Sequence, residues 1–410
     1  MTSSSERAKS GGRGPLSSYR VLELGSTVAG PFCGRLFADF GAEVIKVEMP
    51  EGDPVRTMGS VEGSASLYAA SIFRNKSLIA VDMRTAHGQD IVRRLAEKCD
   101  VVIENFRPGT LEKWALGYED LRAVNPGIVM VRISGFGQTG PYSARPGYGV
   151  IGEAMSGLRN LTGDPDRPPA RMNTSLGDYV TGLYAAFGAM VALDARGRSG
   201  KGQVVDAALY ECAFSFMEPH VPAYNRLGVI AQRTGSELPG SVPNNLYTSK
   251  EGRHIHITAM ADSVFKRLCN AMGRPELAAE GMYKAAKARV LDAAEVDRHI
   301  QTWVGAHALE EVEAALVEAD VPATRIFTIA DVFADPHFRA REMLASVPSS
   351  ELRANVTVAN VVPKLSDTPG NIRHAGHRVG EDTRQVLAQW LDLHDDEIDN
   401  LIRDCAVMAA

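Results

Sequence analysis

Apolar residues in the N-terminal third of the chain fall into short runs separated by longer amphipathic stretches. The runs predict strands at residues 20–24, 43–48, 77–83, 100–104 and 127–134, and the stretches between them predict helices at 32–40, 66–74 and 86–98. The predicted strands are apolar on both faces and alternate with helices, which is typical of a parallel sheet covered on both sides. The pattern therefore predicts an α/β domain.

A longer helix is predicted over residues 175–193. Its large apolar residues recur three or four positions apart, as in a buried helix: Leu176, Val180, Leu183, Phe187 and Val191. A single carboxylate, Asp178, stands just ahead of the uncharged part. It has two interpretations: a helix N-cap, or an ionised carboxylate that the helix N-terminus holds and directs into a site. The local sequence does not decide between them.

The second half of the chain changes character. Residues 203–220 predict a strand that turns into a helix, and residues 225–242 are rich in polar, Gly and Pro residues, as in a linker. A hairpin is predicted from strands at 246–250 and 254–258, and helices fill about 262–320. This block predicts a second, smaller α+β domain, and helices at 381–391 and from 395 close the chain.

Composition narrows the class of protein. The chain has 410 residues, of which 45% are hydrophobic and 23% charged, which suits a soluble globular protein of two or three domains. The formal net charge is −6 with acids and bases interspersed, so no basic face indicates nucleic acid. The five cysteines are scattered without a C-x-x-C and the histidines are dispersed, which argues against disulfide frameworks and metal sites. Reduced, mostly buried thiols in a cytoplasmic protein are expected.

Neither export nor membrane insertion is predicted. Residues 1–14 lack an apolar segment and are expected to be a disordered arm rather than a signal peptide. The longest uncharged run, residues 179–193, is shorter than a bilayer span.

Glycine-rich loops follow three of the predicted strands. The first, 25–30, has the sequence G-S-T-V-A-G rather than G-x-G-x-x-G, which argues against a dinucleotide site. The others lie at 104–109 and 135–150, and no G-x-S-x-G nucleophile motif occurs. Because loops at the carboxyl ends of parallel strands bind ligands in α/β folds, three such loops predict a site at one sheet edge.

Several motifs together resemble those of the class III CoA-transferases, the CaiB/BaiF group that includes formyl-CoA transferase. They are V-L-E-L-G-S-T-V-A-G-P (21–31), G-A-E-V-I-K-V-E (41–48), N-K-S-L-I-A-V-D-M-R (75–84), E-N-F-R-P-G (104–109), S-G-F-G-Q-T-G-P (134–141), A-M-S-G-L (154–158), L-G-D-Y-V-T-G-L-Y-A-A (176–186), D-P-H-F (335–338) and P-K-L-S-D-T-P-G (363–370). Each motif is weak alone, but their number and order cover residues 17–390.

The resemblance implies a large Rossmann-like domain built from both chain ends, a small domain between them, and a homodimer of interlocked subunits. On this basis we expect the disordered arm at 1–14, the first part of the large domain at 15–225, the linker and small α+β domain at 226–325, and a return segment at 326–410. The Pro/Gly-containing stretch 361–372 is long enough to wrap around a partner subunit.

The resemblance also implies site residues. The family nucleophile falls on Asp178. The positions that correspond to CoA contacts are Thr27, Val28, Val81, Asp82, Met83, Arg84, Asn105, Phe106, Arg107, Lys113 and Tyr148. Lys113 stands where the family has an arginine, which keeps the charge but not the bidentate geometry. Met49 replaces a frequent arginine, and Gly149 replaces a frequent acid.

The implied chemistry is the exchange of one thioester for another. An ionised aspartate attacks an acyl-CoA to give an acyl-aspartyl anhydride, and the CoA thiolate then returns to form an aspartyl-CoA thioester, which an acceptor carboxylate displaces through a second anhydride. Backbone N–H groups of the glycine loops would stabilise each oxyanion. The CoA thioester is a substrate, and neither a permanently bound cofactor nor a metal is expected.

Other functions stay open. Related α-methylacyl-CoA racemases pair the aspartate with a histidine in a G-H-D loop, whereas this chain has Gly147, Tyr148 and Gly149, which favours transfer over racemisation or epimerisation. A non-catalytic CoA-ester binding protein is a further alternative. The side chains of Arg107, Arg145 and Arg171 either hold a second carboxylate, as in succinyl-CoA, or form surface ion pairs. The acceptor acid is not specified by the sequence.

Overall fold

The computed structural model describes residues 14–410. Its strands are β1 (Arg20–Glu23), β2 (Glu43–Glu48), β3 (Val61–Glu62), β4 (Ala65–Ser66), β5 (Ser77–Val81), β6 (Val101–Glu104), β7 (Val129–Ser134), β8 (Val204–Ala208), β9 (Asn244–Thr248), β10 (His254–Thr258), β11 (Ala323–Arg325), β12 (Leu344–Ser349), β13 (Ala354–Ala359) and β14 (Val407–Met408). The predicted disordered arm lies outside the described residues, apart from Gly14.

The helices surround these strands. They are α1 (Ala29–Asp39), α2 (Leu67–Ile72), α3 (Ala86–Glu97), α4 (Thr110–Lys113), α5 (Tyr118–Val124), α6 (Gly149–Met155), α7 (Leu176–Ser199), α8 (Leu209–Phe214), α9 (His220–Leu227), α10 (Asp262–Ala271), α11 (Ala286–Leu291), α12 (Ala293–Ala306), α13 (Leu309–Glu318), α14 (Ile329–Ala334), α15 (Pro336–Ala340), α16 (Thr383–Leu391) and α17 (Asp395–Arg403).

Seven strands form the central sheet, in the order β14-β5-β2-β1-β6-β7-β8. All neighbouring pairs are parallel except β14, which pairs antiparallel with β5 and brings the C-terminal end of the chain to the sheet edge. The strand order changes direction between β1 and β6, and in α/β folds the ligand crevice lies at such a switch point, outside the carboxyl ends of the strands. The predicted α/β fold with a large, mostly parallel sheet is therefore confirmed.

Apolar side chains cover both faces of this sheet. Successive residues of a strand point to opposite faces, so Val21 packs with α1 and α7 on one side while Leu22 packs with α3 and α16 on the other. Each face thus has its own buried cluster, as the doubly apolar strands predict.

Helix α7 differs from its prediction in which face it buries. Three of the five predicted core residues are largely exposed: Leu183 at 57%, Phe187 at 67% and Val191 at 52%. The buried face carries small residues instead: Gly177, Thr181, Gly182, Ala185, Ala186, Ala189 and Ala192, followed by Leu193. Small residues let α1 approach closely, since a Cβ on Gly182 would lie 2.7 Å from the Ala29 carbonyl oxygen. The large apolar residues are consequently left on the outer face.

Helix α7 is also the one helix within residues 14–410 that is long and apolar enough to cross a membrane by length and composition. It contains the uncharged run 179–193, and 44% of its most apolar window is buried. Core helices of soluble proteins meet the same criteria, so this property is weak evidence for a membrane span.

The chain divides into two compact units. The first contains the residues up to Leu158, Met172–Asn225 and His337–Ala410. It includes the central sheet and an antiparallel pair, β12 and β13, that the sequence pattern did not predict.

The second unit contains Arg159–Arg171 and Arg226–Pro336. It holds the predicted hairpin, β9 and β10, extended by β11 into a three-stranded antiparallel sheet. Helices α10, α12 and α13 pack on this sheet, and their shared core includes Phe265, Ile300 and Val312.

Candidate active site

The turn between β1 and α1 lies at the crevice and is held from several directions. Thr27 has a φ of +68°, a left-handed conformation that costs a non-glycine residue about 1–2 kcal/mol. Its N–H donates to Asp53 Oδ1 at 3.0 Å. The Ser26 N–H donates to Asn105 Oδ1 at 2.7 Å, and Asn105 Nδ2 donates to the Ser26 carbonyl oxygen at 2.8 Å. Asn105, a predicted CoA contact, therefore joins the loops after β1 and β6.

Helix α1 begins directly after this turn. Its N-cap is Val28, whose side chain cannot accept a hydrogen bond, and its first turn carries no acid. The first N–H groups of α1 thus have no side-chain cap at the edge of the crevice, where they carry partial positive charge.

The loop after β5 reaches the same edge of the sheet, because β5, β2, β1 and β6 run parallel in register. Val81 and Met83 belong to the buried core, so a ligand there would meet their backbone. Asp82 Oδ1 accepts from both the backbone N–H and the Nε of Arg84, at 2.9 and 2.8 Å. Arg84 Nη2 also donates to Glu51 Oε1 at 2.9 Å, which leaves that guanidinium largely engaged by acids.

The remaining predicted CoA contacts differ in exposure. Phe106 is partly buried against Trp114, with ring centroids 5.6 Å apart, whereas Arg107 and Lys113 are exposed. Met49, which follows β2, packs against the core on this side of the sheet.

Asp178 lies in the first turn of α7. The N-cap of that helix is Ser175, so Asp178 is the third residue inside the helix and its interpretation as the N-cap is wrong. Its half-buried carboxylate lies directly against the first residue of α6, because a Cβ on Gly149 would sit 2.2 Å from Asp178 Oδ2 and 2.8 Å from Cγ. The carboxylate therefore occupies space that any side chain at position 149 would fill.

A second carboxylate supports this arrangement. Glu153 lies one turn beyond Gly149 on α6, is buried, and accepts the Gly177 N–H at 3.1 Å through Oε1. It takes one of the first free N–H groups of α7, next to Asp178. The sequence analysis did not identify this role, although the G-x-x-x-E spacing places Gly149 and Glu153 on one helix face. Tyr148, the N-cap of α6, is 72% exposed beside them.

A pair of tyrosines joins α7 to α2. The hydroxyls of Tyr68 and Tyr179 lie 2.9 Å apart, and the Tyr179 ring meets Phe32 edge-on with centroids 4.8 Å apart. Both tyrosines pack on the buried cluster that contains Val28. Burial and the hydrogen bond to Tyr179, with a smaller effect of the Asp178 charge, raise the pKa of Tyr68. Tyr179 thus links the first turn of α7 to α1 and α2.

The arginines considered for a second carboxylate occupy different places. Arg145 is exposed in the loop that leads to α6, and its guanidinium stacks 3.6 Å from the ring centre of Tyr142. Arg107 lies in the loop after β6, and Arg171 belongs to the second compact unit. Within residues 14–410, no group of three or more His, Cys, Asp and Glu side chains is arranged to hold a metal ion.

Comparison with known proteins identifies the family. The profile of CoA-transferase family III matches residues 16–383. The succinyl-CoA–D-citramalate CoA-transferase of Chloroflexus aurantiacus is 47% identical over 94% of this chain and 96% of its own length. The β subunit of succinyl-CoA–L-malate CoA-transferase from the same organism is 39% identical over 94% of this chain and 96% of its own length.

A solved structure of a CaiB/BaiF family protein from Brucella suis is also similar. It superposes with a TM-score of 0.84 at 35% identity, covering 92% of this chain and all of that one. The resemblance found in the sequence motifs is therefore confirmed, and the alternative of a non-catalytic binding protein is set aside. This chain belongs to CoA-transferase family III and is a CoA-transferase, an enzyme that acts on CoA thioesters.

Proposed function

We propose that this enzyme transfers CoA from succinyl-CoA to a carboxylic acid, with Asp178 as the nucleophile. The observation that carries the proposal is the Asp178 carboxylate, half-buried in the first turn of α7 and seated against Gly149. The N-cap position belongs to Ser175, so Asp178 lies inside the first turn, where the positive end of the helix stabilises a negative charge. It is also desolvated in part, which strengthens a carboxylate as a nucleophile.

The CoA moiety would bind at the carboxyl edge of the sheet. The uncapped N-terminus of α1 offers backbone N–H groups and partial positive charge to an anionic or polarised oxygen. Arg107 and Lys113 are exposed at this edge and suit the phosphates of CoA better than Arg84, which two acids already engage. The loops at 27–28, 81–84 and 105–107 supply the remaining contacts.

Transfer would then proceed in four steps. Asp178 attacks the thioester carbonyl, the C–S bond breaks, and an acyl-aspartyl anhydride and CoA thiolate result. The thiolate attacks the Asp178 carbonyl carbon and releases the donor as a free carboxylate, leaving an aspartyl-CoA thioester. The acceptor carboxylate attacks that thioester and expels the thiolate. The thiolate finally attacks the acceptor acyl carbon, which frees Asp178 and the new CoA ester.

The surroundings of Asp178 favour these steps. The N-terminus of α7 stabilises negative charge there by about 0.3–1 kcal/mol. Glu153 accepts the neighbouring Gly177 N–H and so fixes the start of α7, which carries Asp178. Phe32 and the Tyr68–Tyr179 pair line the side toward α1 with aromatic surface, which helps to exclude water from the anhydrides.

Two observations favour a dicarboxylic donor. The relatives named above carry succinyl-CoA in their names. Arg145 forms no ion pair within the described part of the chain, and it lies four residues before Gly149 in the loop that leads to Asp178. We propose that its guanidinium receives the distal carboxylate of the succinyl group, as bidentate arginine contacts commonly do.

Racemisation is the less favoured alternative. Tyr148, which occupies the position of the racemase histidine, has a phenol in place of an imidazole. A protonated phenol is a poor general base at neutral pH.

We also propose that two copies of this chain form an intertwined homodimer through the outer face of α7. Leu183, Phe187 and Val191 follow one another at one-turn intervals and are each more than half exposed. Burying such side chains contributes roughly 1.5–3 kcal/mol each, so a second copy would gain from covering them. A heteromer is the competing assembly, since one relative is named as a subunit.

Mass spectrometry of CoA esters tests the proposed reaction. The enzyme is incubated with succinyl-CoA and a panel of mono-, di- and hydroxy-carboxylic acids, beside the variant Asp178→Asn. We expect a new CoA ester and free succinate in equal amounts, and a loss of at least about a thousandfold in the variant. Wild-type turnover in Asp178→Asn would refute the nucleophile, and turnover with acetyl-CoA equal to that with succinyl-CoA would refute the dicarboxylic preference.

A further inference from the structure

Two buried charged side chains lie beneath the turn between β1 and α1. Lys46, in the middle of β2, and Asp53, in the loop after it, each expose only 1% of their side chains. Lys46 Nζ lies 2.9 Å from Asp53 Oδ2 and also donates a hydrogen bond to the carbonyl oxygen of Gly25. The other carboxylate oxygen of Asp53 accepts the N–H of Thr27 at 3.0 Å and that of Val55 at 2.9 Å.

A second buried pair holds the other end of the same segment. Lys76 Nζ, at the start of β5, donates to Glu23 Oε2 at 2.6 Å and to the carbonyl oxygen of Pro31 at 2.7 Å. Lys46 Nζ lies 3.9 Å from Glu23 Oε1, so the two ammonium groups and two carboxylates form one balanced cluster. The segment from Gly25 to Pro31 is therefore held by a buried ammonium group at each end.

Lys46 points to the opposite face of the sheet from its apolar neighbours Ile45 and Val47, toward the buried carboxylates of Asp53 and Glu23. Replacing a buried ion pair by apolar residues is often neutral or stabilising, so such a pair is weak evidence for a purely structural role. What the pair specifically provides is two hydrogen bonds to the turn, one on each side of Ser26.

The turn needs this support because its conformation is strained. Thr27 adopts a left-handed φ of +68°, which persists in a non-glycine residue only when its surroundings fix it. Lys46 holds the carbonyl of Gly25 and Asp53 holds the N–H of Thr27, while Asn105 holds both backbone groups of Ser26. Both polar groups of two consecutive peptide units, Gly25–Ser26 and Ser26–Thr27, are thus held by side chains from outside the turn.

We infer that Lys46 and Asp53 are positioning residues for acyl-CoA. They touch no substrate but set the turn so that the free N–H groups at the start of α1 face the crevice. The inference rests on the proposed function, in which that crevice receives the CoA ester. It predicts that removing the pair weakens acyl-CoA binding more than it slows the chemical steps at Asp178.

The test compares Lys46→Met and Asp53→Asn with a control that breaks an equally buried ion pair elsewhere. Asp39→Asn serves as the control, because Asp39 pairs with Arg74 at 2.6 Å, both side chains expose 1%, and Asp39 lies at the far end of α1. Steady-state KM for succinyl-CoA, KM for the acceptor acid, kcat and thermal stability are measured for each variant.

For Lys46→Met and Asp53→Asn we expect KM for succinyl-CoA to rise at least tenfold, with kcat within about threefold of wild type and KM for the acid unchanged. Asp39→Asn should lower the melting temperature but leave KM for succinyl-CoA unchanged. Because the two residues act as a unit, the double variant should raise KM no further than the more affected single variant. Asp53→Asn is nearly isosteric and keeps the test decisive where Lys46→Met does not fold.

A direct measurement of succinyl-CoA binding distinguishes a failure of this inference from a failure of the proposed function. Titration calorimetry of the wild type with succinyl-CoA reports whether the enzyme binds the ester at all. If the wild type does not bind, the proposed function fails, and this inference fails with it. If the wild type binds and both variants bind equally well while their stability falls as in Asp39→Asn, the pair is structural and only this inference is wrong.

Discussion

Replacing Gly149 by alanine should displace the nucleophile without disturbing the fold. Gly149 is the first residue of α6 and has no left-handed φ, so its backbone accepts alanine. The added methyl carbon would lie 2.2 Å from Asp178 Oδ2, 2.8 Å from Cγ and 3.2 Å from the Asp178 nitrogen. Ordinary contacts of a Cβ begin near 3.4 Å, so the carboxylate must move by about 1 Å.

The size of the effect follows from that displacement. A misplacement of about 1 Å at a reacting group costs on the order of a hundredfold in rate. This corresponds to about 2.7 kcal/mol of activation free energy. We therefore expect kcat of Gly149→Ala to fall about a hundredfold, and KM for succinyl-CoA to stay within a few fold of wild type because the turn at the start of α1 is untouched.

The assay follows succinyl-CoA consumption in the presence of an acceptor acid, with Gly197→Ala as the matched control. Gly197 lies in α7 and has nothing within 4 Å of its Cβ position, so the same substitution there should leave kcat unchanged and raise helix stability by up to about 1 kcal/mol. A Gly149→Ala enzyme with wild-type kcat would show that the position of the Asp178 carboxylate does not matter for the reaction.

Three further predictions concern the assembly, a buried acid at the end of β6 and the alternative reaction. Phe187→Glu places a charge on the exposed face of α7, so light scattering should detect a monomer or an unfolded chain. An unchanged dimer would mean that the interface lies elsewhere. Burial, only partly offset by Arg132, raises the pKa of Glu104 to about 7. The raised pKa therefore adds about 3 kcal/mol to the free energy of unfolding below pH 4.5, and this contribution is lost as the pH rises through 7. The melting temperature of Glu104→Gln relative to wild type should accordingly rise between pH 5 and pH 8, and a constant difference would contradict the raised pKa. Deuterium from heavy water should not enter the α-position of a 2-methylacyl-CoA at a rate comparable to transfer, because Tyr148 replaces the histidine that racemisation requires.

The sheet could be predicted from the sequence because its strands are apolar on both faces. The predicted strand at 43–48 has the observed bounds of β2, and the other predicted strands of the sheet agree to within two residues. Strand β14 was not predicted, since Val407–Met408 is too short to show a pattern. The β12–β13 hairpin was also missed, because a proline and two serines interrupt its first strand, Leu344–Ser349.

The buried face of α7 could not be predicted from apolar spacing. The periodic Leu183, Phe187 and Val191 indicated a core stripe, yet the helix buries its small residues against α1. Hydrophobic periodicity identifies an apolar face but not what covers it, and small residues such as Gly182 carry little weight in such a pattern. Close helix approach, which decides the outcome here, depends on the tertiary fold.

The sequence motifs pointed to Asp178 and to the sheet edge as the candidate site, but not to the residues that support them. Asp178 and the loops after three strands were recognised from motifs and topology. The roles of Glu153, Lys46 and Asp53 depend on contacts between distant elements, such as the Glu153 bond to the N–H of Gly177. A charged residue within an apolar strand, as Lys46 is within β2, was the one local signal that pointed to such a role.

Covalent trapping with hydroxylamine tests whether Asp178 is the nucleophile. The enzyme is incubated with succinyl-CoA and no acceptor acid, treated with hydroxylamine, and digested for peptide mapping. An aspartyl anhydride or aspartyl-CoA thioester reacts with hydroxylamine, whereas an ordinary aspartate does not. We predict inactivation only when succinyl-CoA is present, with the hydroxamate on Asp178 and on no other acid. A hydroxamate on the neighbouring Glu153, or no labelling that depends on succinyl-CoA, would contradict the assignment of Asp178 as the nucleophile.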